Sequence, residues 1–368
     1  MSTVLKVPLG AAGFLLWMGV AFGSHSPAIP AEELGPLPIA PVSLSGELLY
    51  DGEMLAMPTR IAITNDRIAL VDGFAERPVH LLDASGRYLA GFGRQGEGPG
   101  EFEGPRAIEP TADGSGFWVF DMSLSRLTLV EPDGWDSTPA SERLILPIHG
   151  PAPVTSLVRR VDDTFLAAGF FGEGRLGHFT RGGDYEGATG SIPAPEVDAP
   201  PEVRQHAYRG TLKAAPSLDR LVLANRHAGY LEVFDAEGES LRRIEGPYPF
   251  EPGIDVVIGE RGPAFAPGDD LRFGYVDVAV TDDRIYALFS GRTRAGHPGE
   301  AIYGREVHVF DWNGGLVSVL LLDADAMAIA VDVARDRLLV VRHLPTPALL
   351  SYDLAPAGLA GGAIRQAD

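Results

Sequence analysis

Short apolar, β-branched runs recur along the chain, each set off by a polar turn. The clearest group spans 275–322, where runs at 276–280, 285–289, 307–310 and 316–322 are separated by polar breaks at 281–283, 290–304 and 311–315. Strands joined by turn chemistry in this way are the sequence form of a small antiparallel sheet. Trp312, Asn313 and Gly314, between the last two runs, make the strongest hairpin signal in the chain.

The unit repeats. A polar turn precedes an apolar strand at 65–67 (strand 68–71), 113–116 (117–120), 162–164 (165–168), 217–220 (221–224), 281–284 (285–289) and 335–337 (338–341). A second turn closes a later strand of each copy: LDASG (82–86), VEPDG (130–134), FTRGG (179–183), FDAEG (234–238), FDWNG (310–314) and a truncated YD (352–353). The strand starts at Ile68, Phe117, Phe165, Leu221, Ile285 and Leu338 lie 49, 48, 56, 64 and 53 residues apart. Six copies in phase predict an all-β fold, a six-bladed β-propeller of four-stranded antiparallel blades, in which each blade packs on its neighbours and closure removes exposed edges.

The last copy stops after Tyr352 and Asp353 and lacks an outer strand, whereas VSLSGELLY (42–50) is a strand without a unit. The ring is therefore expected to close by pairing of the N- and C-terminal strands, with the propeller spanning 42–355, a proline-rich linker at 24–41 and a flexible tail at 356–368. Two insertions carry the extra length. The one at 190–203, rich in Pro, Ala and acidic residues, reads as a solvated loop. The one at 246–270 contains aromatics and reads as an excursion over one face of the ring, where long loops on a rigid scaffold tend to carry function.

Composition agrees with a turn-rich globular protein: 45 glycines and 30 prolines accompany 45% hydrophobic and 22% charged residues over 368 positions. A formal charge of −20 argues against binding to nucleic acid or anionic lipid, which depends on clustered Lys and Arg. The absence of cysteine excludes disulfides, thiolate metal sites and cysteine nucleophiles. Residues 1–23 read as a signal peptide: Lys6 precedes an apolar run at 9–22, and Ala21 and Gly23 are the small residues that a signal peptidase reads. An exported protein is expected, periplasmic, in the cell envelope or extracellular, with no membrane insertion after cleavage.

The stretch FGRQGEGPGEF (92–102), followed by PRAI (105–108), resembles the glycine-rich link between blades of NHL-type propellers, with a partial copy at GERGPAF (259–265). DRIYALFSGR (283–292) and EVHVFDWNG (306–314) resemble the TolB-like six-bladed propellers of bacterial cell envelopes. The resemblance implies the fold and leaves ligand and reaction open, since fold does not carry function.

Glycine-rich residues 96–100 are not a phosphate loop, because the segment leads into a strand rather than a helix and carries Glu97 and Glu101. No catalytic or cofactor motif occurs, and no cofactor is assigned. The repeat itself supplies the candidate site. In a propeller the turn after each unit's second strand lies on the same face as the inter-blade link. Those turns hold Asp72, Asp121, Gly169, then Arg226 with His227, Arg292, and Arg342 with His343. A basic arc of this kind suits a small anionic group through bidentate guanidinium contacts. The expected function is a non-enzymatic module binding a small anionic ligand or a protein partner. The structural alternative is that the arginines and histidines pair with Asp72 and Asp121. The competing class, known among six-bladed propellers, is a metal-dependent hydrolase, lactonase or lyase, with His227, His343, Asp72 and Asp121 as ligands or bases.

Overall fold

In the computed structural model residues 34–359 are described, apart from Asn65, Ala140, Ser141 and Arg261. The expected signal peptide, the first part of the linker and most of the tail lie outside the described residues.

Six antiparallel sheets form a ring, as the repeat predicts. Blade 1 comprises β3 (Arg60–Ile63), β4 (Arg67–Val71), β5 (Val79–Asp83) and β6 (Tyr88–Phe92). Blade 2 comprises β7 (Pro105–Pro110), β8 (Phe117–Asp121), β9 (Arg126–Val130) and β10 (Ile145–Pro147). Blade 3 comprises β11 (Val154–Arg159), β12 (Phe165–Gly169), β13 (Leu176–Phe179) and β14 (Tyr185–Thr189). Blade 4 comprises β15 (Gly210–Ala214), β16 (Arg220–Asn225), β17 (Tyr230–Asp235) and β18 (Ser240–Glu245). Blade 5 is built on β21 (Tyr275–Val280), β22 (Arg284–Phe289), β23 (Gly304–Asp311) and β24 (Leu316–Ala326), and blade 6 on β25 (Ala328–Asp332), β26 (Arg337–Arg342) and β27 (Ala348–Asp353). The first strands β3, β7, β11, β15, β21 and β25 contact one another in that cyclic order and line the central channel.

The second strands are apolar on both faces because each blade is sandwiched between two others. Ile68 and Leu70 of β4 pack towards blade 6, whereas Ala69 and Val71 pack towards blade 2. Every blade interface has its own apolar cluster, so the core is a ring of six wedges rather than one centre. The fourth strands of blades 1 to 4 meet solvent, β18 burying only Ile244, whereas β24 is covered by a further strand.

The turn between the third and fourth strands is an Asx turn in blades 1, 4 and 5. Asp83, Asp235 and Asp311 each accept backbone N–H bonds from residues two and four positions on. The glycine that ends this turn in blades 1, 3, 4 and 5, such as Gly86 at φ +90°, takes the left-handed conformation, and a Cβ on Gly86 would come within 2.6 Å of the Leu49 carbonyl oxygen.

Closure uses the N-terminal segment, which divides at Gly46. β1 (Val42–Leu44) adds in parallel to the outer edge of β24 in blade 5, and β2 (Glu47–Tyr50) pairs antiparallel with β27 to complete blade 6. Asp323 latches the division, accepting the Gly46 N–H at 3.2 Å and the Tyr352 hydroxyl at 2.7 Å. The linker is not wholly solvated, since Leu34 and Leu37 pack against the blade 4–5 cluster.

The insertions differ from their sequence reading in one respect. The 190–203 segment runs into helix α1 (Pro201–Ala207), whose Val203 and Ala207 are buried with Tyr208, Tyr230, Phe265 and Leu271, so it carries a small core of its own. The 246–270 segment forms a hairpin of β19 (Asp255–Gly259) and β20 (Gly262–Ala266) packed against α1. The glycines at 259 and 262 turn that hairpin and do not link blades.

Candidate functional site

The first strands begin on the face where the inter-blade links and the second-to-third-strand turns lie. Arg60 opens β3, Arg106 is second in β7, Arg209 directly precedes β15, and Arg226 directly follows β16. Their backbones are tied together locally: the Arg226 N–H donates to the Arg209 carbonyl at 2.9 Å. In β7 the register jumps from Pro105 opposite Asp121 to Ala107 opposite Phe120. Arg106 is the extra residue of this bulge, a device that re-aims a side chain, and it is exposed. Asp277 is third in β21, beside a similar bulge, and is 2% exposed. Further along the channel Lys213 of β15 reaches past blade 3 to Glu109 of β7 at 2.6 Å.

Four guanidinium groups from blades 1, 2 and 4 therefore converge on one mouth of the channel. Arg226 retains accessible surface although protein surrounds it, and its pKa is pushed down to about 9, first by burial and then by the charges of Arg209, Arg60 and Arg106, with Asp277 opposing. Partial desolvation lowers Arg106 too, exposed though its side chain is, with Arg60 adding to the effect and Asp121 opposing, and burial lowers Arg209, with Arg106 adding. The side chains of Arg106, Arg209 and Arg226 form no hydrogen bond or ion pair with any described residue, and Arg209 Nε is buried without an acceptor. Among the described residues Arg60 hydrogen-bonds only the Thr59 carbonyl, at 2.6 Å. Asp277 is the buried carboxylate in this field. Burial raises its pKa against the opposing influence of Arg60; one oxygen accepts the Ile329 N–H at 2.9 Å and the other is unpaired among the described residues. A partly desolvated cluster of guanidinium groups, opposed through space by Asp277 and Asp121 but not hydrogen-bonded to them, offers fork-shaped donors to carboxylate or phosphate oxygens.

The residues singled out from the sequence are distributed differently from the expected arc. Arg226 lies in the cluster. Arg292 instead pairs with Asp325 at 2.6 Å and bonds the Glu300 carbonyl, and Arg342 Nε donates to the Thr346 carbonyl at 3.3 Å. Asp72 and Asp121 clamp the incoming links. Asp72 accepts the N–H groups of Ala56 at 2.7 Å and Met57 at 2.9 Å, and Asp121 those of Glu103 at 2.8 Å, Gly104 at 3.0 Å and Leu124 at 3.0 Å. His343 bonds the Pro58 carbonyl at 2.6 Å through Nε2 and the Tyr303 hydroxyl at 3.1 Å through Nδ1. His227 donates from Nδ1 to the Ala207 carbonyl at 3.1 Å, and burial together with Arg209 and Arg226 holds its pKa well below the usual value. The hydrogen bonds of His227, His343, Asp72 and Asp121 thus go to different partners, although Asp72 is near enough to act on His343, and no group of three or more His, Asp or Glu among the described residues could hold a metal ion. Arg60, Arg106, Arg209 and Asp277 escaped the sequence reading because it followed the turns after second strands. The available signal was a basic residue at or just before a first strand, as in RIAI, PRAI and RGTL.

A recess of about 370 Å³ lies between the two insertions, lined by Pro193, Tyr208, Tyr230, Arg243, Glu251 and Ile254. Its cation is already occupied: Arg243 stacks 3.5 Å over the Tyr230 ring and pairs with Glu245 and Glu251.

The fold and site define a six-bladed propeller with a cationic channel mouth in an acidic body. The chain belongs to the TolB-like 6-blade propeller-like family, whose model matches residues 41–334. No curated protein matches it. Among solved structures it is similar in fold to the WD40 repeats of RRP9, with 13% identity over 83% of this chain and 96% of that one and a TM-score of 0.48. It is likewise similar to Kuenenia stuttgartiensis hydrazine synthase, with 12% identity over 82% and 96% of the two chains and a TM-score of 0.45.

Proposed function

We propose that the protein is a non-enzymatic binding module that takes a small anionic ligand at the arginine-lined mouth of its channel. The observation that carries this reading is the cluster of Arg60, Arg106, Arg209 and Arg226, three of them without an acceptor among the described residues, in a chain of net charge −20. Carboxylates are abundant elsewhere, so unpaired arginines held together against their mutual repulsion are best explained by an anion that joins them. The apolar run at 9–22 supports a working location outside the cytoplasm.

Calorimetric titration with inorganic phosphate and with citrate tests the site. Saturable binding to the parent is expected, with a loss of at least tenfold in affinity for Arg226→Gln and for Arg106→Gln, because one charge-assisted contact is worth roughly 1.5–3 kcal/mol. Equal affinity in parent and variants, or no binding of either anion, would sink the proposal.

A further inference from the structure

The arginine arc has a gap at blade 3, between Arg106 of blade 2 and Arg209 of blade 4. That sector presents aromatic rings and no arginine of the arc, with Glu173 and Glu202 at its outer side. The first strand of blade 3 begins with Val154 and Thr155, and Phe170, which follows its second strand, donates its N–H to the carbonyl of Pro153 at the start of the same strand. The Phe170 ring meets the His206 ring at 4.7 Å with 34° between their planes. His206 in turn lies 5.5 Å from Phe265 of the inserted hairpin, and His227 lies 6.2 Å from Phe265 and 5.1 Å from Phe273. Phe265, His227 and Phe273 are buried, whereas Phe170 and His206 are only half-buried and keep surface at the channel mouth.

Both insertions contribute to this feature. His206 sits on α1, three residues before Arg209, and Phe265 on the hairpin. The guanidinium of Arg209 is close enough to act on His206, whose pKa falls to about 4, chiefly through burial. At neutral pH the imidazole is therefore uncharged and serves as a flat stacking face rather than a fifth cation.

Resting on the anion site proposed above, we infer that the ligand carries a flat apolar group joined to its anionic head, the head held by the arginines and the flat group lying against Phe170 and His206 in the blade 3 sector. A bare anion would leave the exposed parts of this ring pair wet; a ring attached to it covers them while the head stays in reach of Arg106, Arg209 and Arg226.

The test compares inorganic phosphate, phenyl phosphate and cyclohexyl phosphate with the full-length chain at pH 7.5. Phenyl phosphate is expected to bind about tenfold tighter than phosphate, with cyclohexyl phosphate in between, because a stacked aromatic contact adds to simple burial. Phe170→Ala should bring phenyl phosphate to the level of phosphate without changing phosphate itself. Phe170→Leu, which keeps the bulk of the turn, should retain part of the gain, and a melting curve like that of the parent excludes loss of fold in either variant. Equal affinities for phosphate and phenyl phosphate, or a gain that survives Phe170→Ala, would overturn the inference and leave the anion site standing. Failure of all three to bind removes both.

Discussion

At the scale of single residues, a buried carboxylate here is a backbone acceptor before it is anything else. Asp72 and Asp121 hold equivalent places at the end of a second strand, and each accepts N–H groups from the link that enters its own blade, 15 to 18 residues upstream. Both are fully buried. Asp72→Ala or Asp121→Ala orphans at least two partly buried N–H donors and is expected to cost about 1–3 kcal/mol in urea unfolding. Asp133→Ala, which removes an 83%-exposed partner of Arg67, should cost no more than about 0.5 kcal/mol. A loss below 0.5 kcal/mol for Asp72→Ala would show that the clamp is not needed. The sequence offered Asp72 and Asp121 as candidate site residues without showing this role, because an acceptor in a turn is visible in a sequence and its donors in a distant link are not.

At the scale of elements, the weakest joint of a propeller is the place where the chain ends meet, and this ring covers it with a segment shared between two blades. Because β1 completes the edge of blade 5 and β2 completes blade 6, removal of 42–50 uncovers two sheet edges together. The truncated chain is expected to lose its single cooperative transition. Asp323→Ala, which leaves both strands but deletes the latch on Gly46 and Tyr352, should retain that transition with a stability lower by about 1–3 kcal/mol. A truncated protein that melts like the parent would remove this account of closure. What was legible in the sequence follows from burial. Second strands such as β12, buried at every position, stand out as continuous apolar runs and fixed the blade count. Outer strands such as β14, with no fully buried position, carry too little pattern to be seen. Helix α1 was missed because seven residues opening on Pro201 give no helical period. The channel mouth was read only through Arg226, since first strands present their opening residues to one another across the ring, a juxtaposition set by closure.

At the scale of the whole molecule, the mouth draws Arg60 from blade 1, Arg106 from blade 2, Arg209 and Arg226 from blade 4 and Asp277 from blade 5 into one electrostatic unit. Such a unit works against the fold while it is unliganded. The depressed pKa of Arg226 means that its charge is less comfortable in the ring than in the unfolded chain, and at pH 7, below that pKa of about 9, the penalty is fully present. Arg226→Gln is accordingly expected to stabilise the ligand-free protein by about 1–2 kcal/mol, less than full desolvation would give because water still reaches the group. An anion reverses the order. At a hundred times its dissociation constant it adds roughly 2.7 kcal/mol to the parent, and the variant, lacking the site, gains much less. Since four of the six blades touch the charged unit, the ligand should move the whole transition upward by a few degrees without splitting it. Scanning calorimetry of the two proteins, with and without saturating phosphate, measures all four quantities. A variant less stable than the parent without phosphate would mean that Arg226 is a structural residue whose partner is the protein itself, and the binding site would have to be sought elsewhere on the ring.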